Sequence, residues 1–255
     1  MCLLGIALHQ FEDYPVVIVS NRDEFHDRPT SPLHQWPDSP TLIAGRDNQA
    51  GGTWLGISTT GRLAAVTNLR GYPAASSSGP SRGRLVTDFL SSTQPVCQWI
   101  DSMRVQAKQF AGFNLLLSDD GKTFVVFSNL NRQETLTPGI HSLANGFIED
   151  DWPKEQRLRQ SLAALPQADN IDALRTLIED SRPTDDALLP ETGIGLSLER
   201  QLSPQLIIGD SYGTRSTAVV RIDRSGQVDF TEFTRAIDGR VLTQTSLNSG
   251  SIAHG

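Results

Sequence analysis

Short apolar runs joined by tight turns leave this chain few ways to fold. Phe113–Ser118 and Thr123–Ser128 flank Asp119-Asp120-Gly121-Lys122, and Asp-Gly chemistry between such runs closes a hairpin. The pattern recurs as Thr53–Ser58 and Arg62–Asn68 around Thr59-Thr60-Gly61, and as Ser216–Asp223 and Gln227–Thr234 around Arg224-Ser225-Gly226. At the start, Cys2–His9 and Val16–Ser20 are apolar runs that pair across Phe11–Pro15. Gln133–Leu136, Ile140–Asn145 and Leu206–Ile208 read as further strands. Helical spacing falls between these groups. Leu85, Phe89 and Leu90 share a face of Arg84–Ser91, and Val96, Ile100, Met103 and Ala107 repeat every three to four residues. Lys154–Leu165, with Pro153 near its start, and Ile171–Asp180 are amphipathic. Antiparallel pairs with helices grouped between them predict an α+β protein, built as two packed sheets with helices outside.

Proline and glycine mark the expected loops. His26–Pro40 holds Pro29, Pro32, Pro37 and Pro40 and is read as loop, and Gly71–Arg82 is rich in Gly, Ser and Pro. Both are expected beside a cleft, because loops carry specificity. No repeat or low-complexity linker divides the chain, so residues 1–242 are expected to form one domain and 243–255 a flexible tail.

Composition excludes several functions. The 255 residues carry 29 acidic and 22 basic side chains, a net charge of -7. An acidic chain lacks the basic field that nucleic-acid binding needs. No apolar run approaches the ~20 residues of a membrane span, so no integral membrane association is expected. The N-terminus has no basic region or small-residue cleavage site, which makes cytoplasmic residence the expectation. Two cysteines rule out a disulfide scaffold and a Cys-rich zinc site. There is no Gly-Lys-Ser/Thr phosphate loop, no His-Glu-x-x-His and no Gly-x-Ser-x-Gly, and the five histidines lack ligand spacing.

Four groups of residues remain for chemistry. Cys2 would carry both a thiol and a free amine if Met1 is removed. An α-amine with a pKa of about 7.7–8.0 is partly neutral near pH 7 and can take the thiol's proton. Cys2 is equally where an apolar strand begins, and Cys97, on an apolar helix face, is read as core. Asn21-Arg22-Asp23-Glu24-Phe25 follows the second strand and lies near the Cys2 end of the first. There Asp23 can hold an amine and Arg22 can support a thiolate, or the segment is a solvated loop. Asn68 and Asn145 end strands and Asn114 lies within one. A side-chain amide aimed into a site can donate to an oxyanion, though Asn is also common in turns. Arg215, opening another strand, can bind an anion or stand as an edge charge.

The joint order of these motifs is specific. Met1-Cys2, Asn21-Arg22-Asp23-Glu24-Phe25, Gly51-Gly52-Thr53-Trp54-Leu55-Gly56-Ile57-Ser58, Ala65–Asn68, Gly112-Phe113-Asn114-Leu115, Leu143-Ala144-Asn145 and Tyr212-Gly213-Thr214-Arg215 resemble the NRDE family, from residue 1 to about Glu232. Eukaryotic members of that family include a transport and Golgi organisation protein implicated in lipid metabolism and haem handling. The family is in turn similar to N-terminal nucleophile hydrolases of the choloylglycine hydrolase and penicillin V acylase type, which implies an αββα sandwich. The resemblance makes Cys2 the nucleophile, Asp23 the aspartate that binds its amine, and Asn68 and Asn145 the asparagines near oxyanion and amine. Arg215 is its counterpart for a late site arginine. The acylases place an arginine three residues before the matching aspartate, where this chain has Ser20. Arg22 is the neighbouring guanidinium, on the other face of a regular strand end.

The expected function is hydrolysis of a non-peptide C–N amide by Cys2, with a small-molecule amide or acyl substrate and no cofactor. The alternative is a non-catalytic binding or trafficking protein that holds haem or an acylated lipid in the same cleft. Its haem contacts would be Cys2 or the histidines.

Overall fold

The computed structural model describes residues 3–72 and 79–249. In chain order the strands are β1 (Leu3–Leu8), β2 (Val16–Phe25), β3 (Thr30–Trp36), β4 (Ser39–Asp47), β5 (Leu55–Ser58) and β6 (Leu63–Asn68). Helices α1 (Gly83–Leu90) and α2 (Val96–Met103) follow. Then come β7 (Phe113–Ser118), β8 (Val125–Ser128), β9 (Gln133–Thr135) and β10 (Gly139–Leu143). Helices α3 (Pro153–Ala164), α4 (Ile171–Thr176) and α5 (Leu196–Gln201) precede β11 (Tyr212–Ile222), β12 (Val228–Arg235) and β13 (Val241–Ser249).

The strands form two antiparallel sheets, one ordered β10-β1-β2-β11-β12-β13 and the other β3-β4-β5-β6-β7-β8-β9. Strand alternation decides what lies between them. Leu4, Ile6, Ile18, Val220 and Phe230 of the first sheet meet Leu55, Ile57, Leu116 and Val126 of the second in the central core. The opposite face of the second sheet, with Ala64, Val66, Leu115 and Leu117, is covered by Leu85 and Phe89 of α1 and Trp99 and Ile100 of α2. The opposite face of the first, with Leu3, Val17, Val19 and Val219, is covered by Leu158 and Leu162 of α3 and Leu174 of α4. The layers are therefore helix, sheet, sheet, helix, as expected. Burial on both faces explains why β1 reads as an unbroken apolar run, LLGIAL, and not as an alternation.

Four expectations are corrected. Residues 26–40 are not simply loop, because β3 and the start of β4 form a hairpin there. Pro32 is tolerated because β3 is the outermost strand of its sheet, and its ladder is interrupted between Ser31 and His34. Leu206–Ile208 is not a strand. Its backbone is used piecemeal, Leu206 N donating to Asp180 and Ile207 N to the Thr214 hydroxyl. Cys97 is exposed, because it falls one position after the buried Val96 and so on the outer side of α2. The chain from Thr243 does not fray at once. β13 pairs with β12 as far as Val228↔Ser249, and Leu247 packs on the central core. Of the Gly71–Arg82 loop, residues 73–78 lie outside the described residues. Among the described residues no helix is long and apolar enough to cross a membrane.

One polar side chain ties the first sheet to the layer outside it. Asn21 is fully buried, donates to the carbonyls of Ile178 (2.9 Å) and Gln205 (2.8 Å), and accepts from the Thr217 hydroxyl (2.6 Å). Asn21→Ala leaves two carbonyls without a donor in a dry site and the Thr217 hydroxyl without its acceptor, with only Arg235 Nε still bonded to it. The expected loss is about 3 kcal/mol of stability, or roughly 6–12 °C in Tm for a chain of this size. Calorimetry of the variant checks this, and a change below the low end of that range would remove the clamp role.

Candidate active site

The site gathers where β1 begins, β2 ends, β6 ends and β11 begins. Antiparallel pairing sets Leu3 opposite Asn21, and Asp23 opposite Thr214. Along β2 the side chains alternate. Asn21 points to the helical side, whereas Arg22 lies between the sheets with its guanidinium 4.1 Å from the Trp54 ring centre. Arg22 also donates to the Thr30 hydroxyl (3.2 Å) and stands 4.0 Å from Glu24. Burial holds the Arg22 guanidinium below its usual pKa, and Glu24 and Asp47 oppose that effect. Asp23 is buried and accepts from Thr214 Oγ1 at 2.6 Å. Thr214 is fixed in turn by Ile207, whose N–H donates to that hydroxyl and whose carbonyl accepts the Thr214 N–H.

A cavity of about 670 Å³ opens here. Arg22, Asp23, Trp54, Asn68 and Tyr212 line it, together with the Arg28–Asp47 ion pair at 2.7 Å. Burial acts to raise the Asp47 carboxyl, but Arg28 and two backbone N–H groups outweigh it and hold the group below its ordinary value. Among the described residues, three guanidiniums (Arg22, Arg28, Arg82) and three carboxylates (Asp23, Glu24, Asp47) line the space, so these side chains balance in charge. The Gly51-Gly52 pair has a clear purpose at its second position. A Cβ on Gly52 would stand 2.5 Å from the Gly83 carbonyl carbon, so only glycine lets this loop meet the start of α1 beside the cavity.

Asn68 and Asn145 are brought into contact. Asn145 Nδ2 donates to the Asn68 backbone carbonyl at 3.0 Å, and the Arg70 N–H donates to the Asn145 backbone carbonyl at 2.8 Å. The Asn145 side-chain oxygen faces two cations, Arg70 at 3.4 Å and Lys154 at 3.5 Å. Arg70 is itself paired with the buried Glu199 at 2.5 Å. Among the described residues, the Asn68 carboxamide makes no hydrogen bond. Beyond Asn68 and Tyr212 lies a second space of about 300 Å³, walled by Ile194, Leu198, Leu202 and Ile207. Asn68 thus stands between a polar cavity and an apolar one.

The structure therefore brings Arg22, Asp23 and Asn68 to one cavity and joins Asn145 to them through Asn68. Arg215 is not part of this group. Its guanidinium donates to the carbonyls of Phe25 (2.9 Å) and Arg28 (2.8 Å), which braces the β2–β3 turn. It is the extra residue of a bulge, since Thr214 pairs with Asp23 and Ser216 with Arg22. Cys2 lies outside the described residues. Asn114 sits away from the cavity, donating to Thr67 Oγ1 (3.2 Å) and to the Gly146 carbonyl (2.8 Å).

Reading the sequence missed Lys154, Arg70 and Glu199, which meet only through contacts up to 129 residues apart. It also missed Glu232. That carboxylate is buried between the sheets, accepts the Leu33 N–H at 2.8 Å, and has its pKa pushed up to about 7 by burial. The signal was present. Phe230 and Glu232 are two apart on one strand, so an acid occupies an inward position.

No group of described residues could hold a metal ion. Among the described residues, no histidine lines the cavity. His26 is bonded to the Gly209 carbonyl, His34 to that of Pro32 and His141 to that of Thr137, and none of the three lines the cavity.

A family model described as Transport and Golgi organisation 2 matches residues 1–236, and the chain belongs to that family. It is 31% identical over 238 residues to the Transport and Golgi organization 2 homolog of Mus musculus, covering 86% of each. It is 23% identical over 250 residues to the Drosophila melanogaster Transport and Golgi organization protein 2, covering 87% of this chain and 86% of that one. Among solved structures it is similar to a Caenorhabditis elegans ortholog of N-acylethanolamine-hydrolyzing acid amidase. That match has 10% identity and a TM-score of 0.49, covering 86% of this chain and 92% of the other. It is also similar to a variant of the conjugated bile acid hydrolase of Clostridium perfringens, at 12% identity and a TM-score of 0.47, covering 97% of both.

Proposed function

We propose that the protein hydrolyses a linear, non-peptide amide, with Cys2 as the nucleophile after removal of Met1. The observation that supports this is the convergence of Asp23, Arg22 and Asn68 at the end of the sandwich where β1 begins, with Leu3 held against Asn21. Cys2 is bonded to Leu3. Its thiolate attacks the carbonyl carbon and its α-amine takes the thiol proton, then delivers that proton to the leaving nitrogen. Asp23, held by Thr214, orients the amine as an ammonium. The Asn68 carboxamide donates to the carbonyl oxygen as it becomes negative. Asn145 braces Asn68 through its backbone carbonyl, with Arg70 and Lys154 fixing the direction of the Asn145 amide. Water then hydrolyses the thioester and restores the thiol. The polar cavity on one side of Asn68 and the apolar one on the other fit an amphiphilic amide, with polar and hydrocarbon parts on either side of the scissile bond.

Binding of haem or an acylated lipid without turnover is the competing reading. The apolar space beside Asn68 suits a lipid chain, whereas nothing in the described lining ligates haem iron. The test combines intact mass, a panel of fatty-acyl amides with product detection by mass spectrometry, and a haem titration. Loss of Met1 together with amide cleavage is expected. A retained Met1, or a haem Soret shift with every amide untouched, would overturn the hydrolase reading.

A further inference from the structure

A second cavity, of about 440 Å³, opens on another part of the sandwich and shares no lining residue with the first. Its polar floor is the cross-strand pair Asn114 of β7 and Ser128 of β8. Val126, Phe147 and Ile148 form apolar walls, and Arg132, Glu134 and Glu149 surround them.

The floor is chemically incomplete. Ser128 is 2% exposed and its hydroxyl has no hydrogen-bond partner. A buried polar group in that state is destabilising unless something completes it. Both N–H donors of the neighbouring Asn114 amide are used, on Thr67 Oγ1 and on the Gly146 carbonyl. Its side-chain oxygen accepts no hydrogen bond among the described residues. The floor therefore offers one hydroxyl, which donates or accepts, beside one carbonyl, which only accepts.

We infer that the Asn114–Ser128 cavity binds an uncharged molecule with a carboxamide head and a short hydrocarbon body. A primary carboxamide answers both floor groups at once. Its carbonyl accepts from Ser128 and its N–H donates to the Asn114 oxygen. A carboxylate of the same size has no proton for Asn114 and sets two lone pairs against each other. The rim also disfavours it, having two carboxylates (Glu134, Glu149) to one guanidinium (Arg132), which is itself paired with Glu149 and stacked 3.8 Å from the Phe147 ring centre. The hydrocarbon body lies against Val126, Phe147 and Ile148. This site is independent of the hydrolase reading and stands or falls separately.

Hexanamide and hexanoate test it, titrated into the full chain and followed by backbone amide NMR shifts. Hexanamide is expected to give saturable shifts at Ser128, Phe147 and Ile148, with hexanoate weaker by roughly tenfold or more. Ser128→Ala should weaken hexanamide by roughly tenfold without unfolding the protein, because the hydroxyl it removes has no partner. Ile148→Trp, which puts a larger ring on the apolar wall, should abolish the shifts. Equal binding of the two probes, indifference to Ser128→Ala, no saturation, or shifts confined to the Arg22–Asn68 cavity would each overturn the inference.

Discussion

Cys2→Ala should lower amide hydrolysis by at least about a thousandfold, with Tm and circular dichroism unchanged. The size follows from the chemistry. Without the sulfur no thioester forms, and what remains is water attack assisted only by binding and by the Asn68 donor. Cys2→Ser is the sharper companion. It keeps an N-terminal nucleophile with the same amine, so Asp23 and Asn68 still act, but a hydroxyl is a far weaker nucleophile than a thiolate at neutral pH. Residual activity in the serine variant, none in the alanine variant, and protection of the wild type from iodoacetamide by substrate form one consistent pattern. Activity of the alanine variant within tenfold of wild type would remove the mechanism.

Glu232→Gln should change the way stability depends on pH. Burial raises the Glu232 carboxyl from an ordinary 4.5 to about 7, with the Leu33 N–H and Arg22 opposing the effect. Below pH 4.5 the folded and unfolded chains both hold the proton. Between 4.5 and 7 the unfolded chain releases it while the folded one retains it, so stability falls as pH rises across that window. The full fall from this one group is about 3 kcal/mol. Glutamine keeps an oxygen for the Leu33 N–H and does not titrate. The variant should match wild type near pH 4.5 and exceed it by about 3 kcal/mol at pH 8, measured by urea unfolding at both pH values. Glu155, whose carboxyl burial also raises to about 7, preserves a similar fall in both proteins. Parallel pH profiles for variant and wild type would show that Glu232 does not titrate in this range.

The sheets were legible where period and turn chemistry agreed. The Asp120-Gly121 and Ser225-Gly226 hairpins are local, and their strands pair in the register the turns dictate. The β3–β4 hairpin was hidden because four prolines outweighed the alternation, and proline content cannot reveal that a strand will lie at an edge. β13 was hidden because its residues are mostly polar and their only apolar anchor is Leu247. At the site, Asp23 and Asn68 could be found because Asp23 lies near the end of β2 and Asn68 ends β6, strands that the hairpins fix in place. The role of Arg215 could not, since it depends on a single-residue irregularity in β11. Lys154 and Glu199 are charged residues on helices, and no local pattern tells a buried charge from a solvated one. The other half of the Asn21–Phe25 segment divides its labour. Asn21 clamps the layers, Glu24 stands 3.7 Å from Arg28, and Phe25 packs edge-on to Tyr212 with ring centres 5.2 Å apart.

The irregularity at Arg215 has a consequence for how this family member can change. Residues 212–214 and 216–222 follow the same neighbouring strand with one residue of slack between them. Excising that residue would tighten the ladder and turn every side chain before it to the opposite face. Thr214 would swing away from Asp23, and Tyr212 would leave the partition between the polar and apolar chambers. Length at this point is thus a requirement of the proposed chemistry, although the residue that supplies it spends its hydrogen bonds on backbone carbonyls.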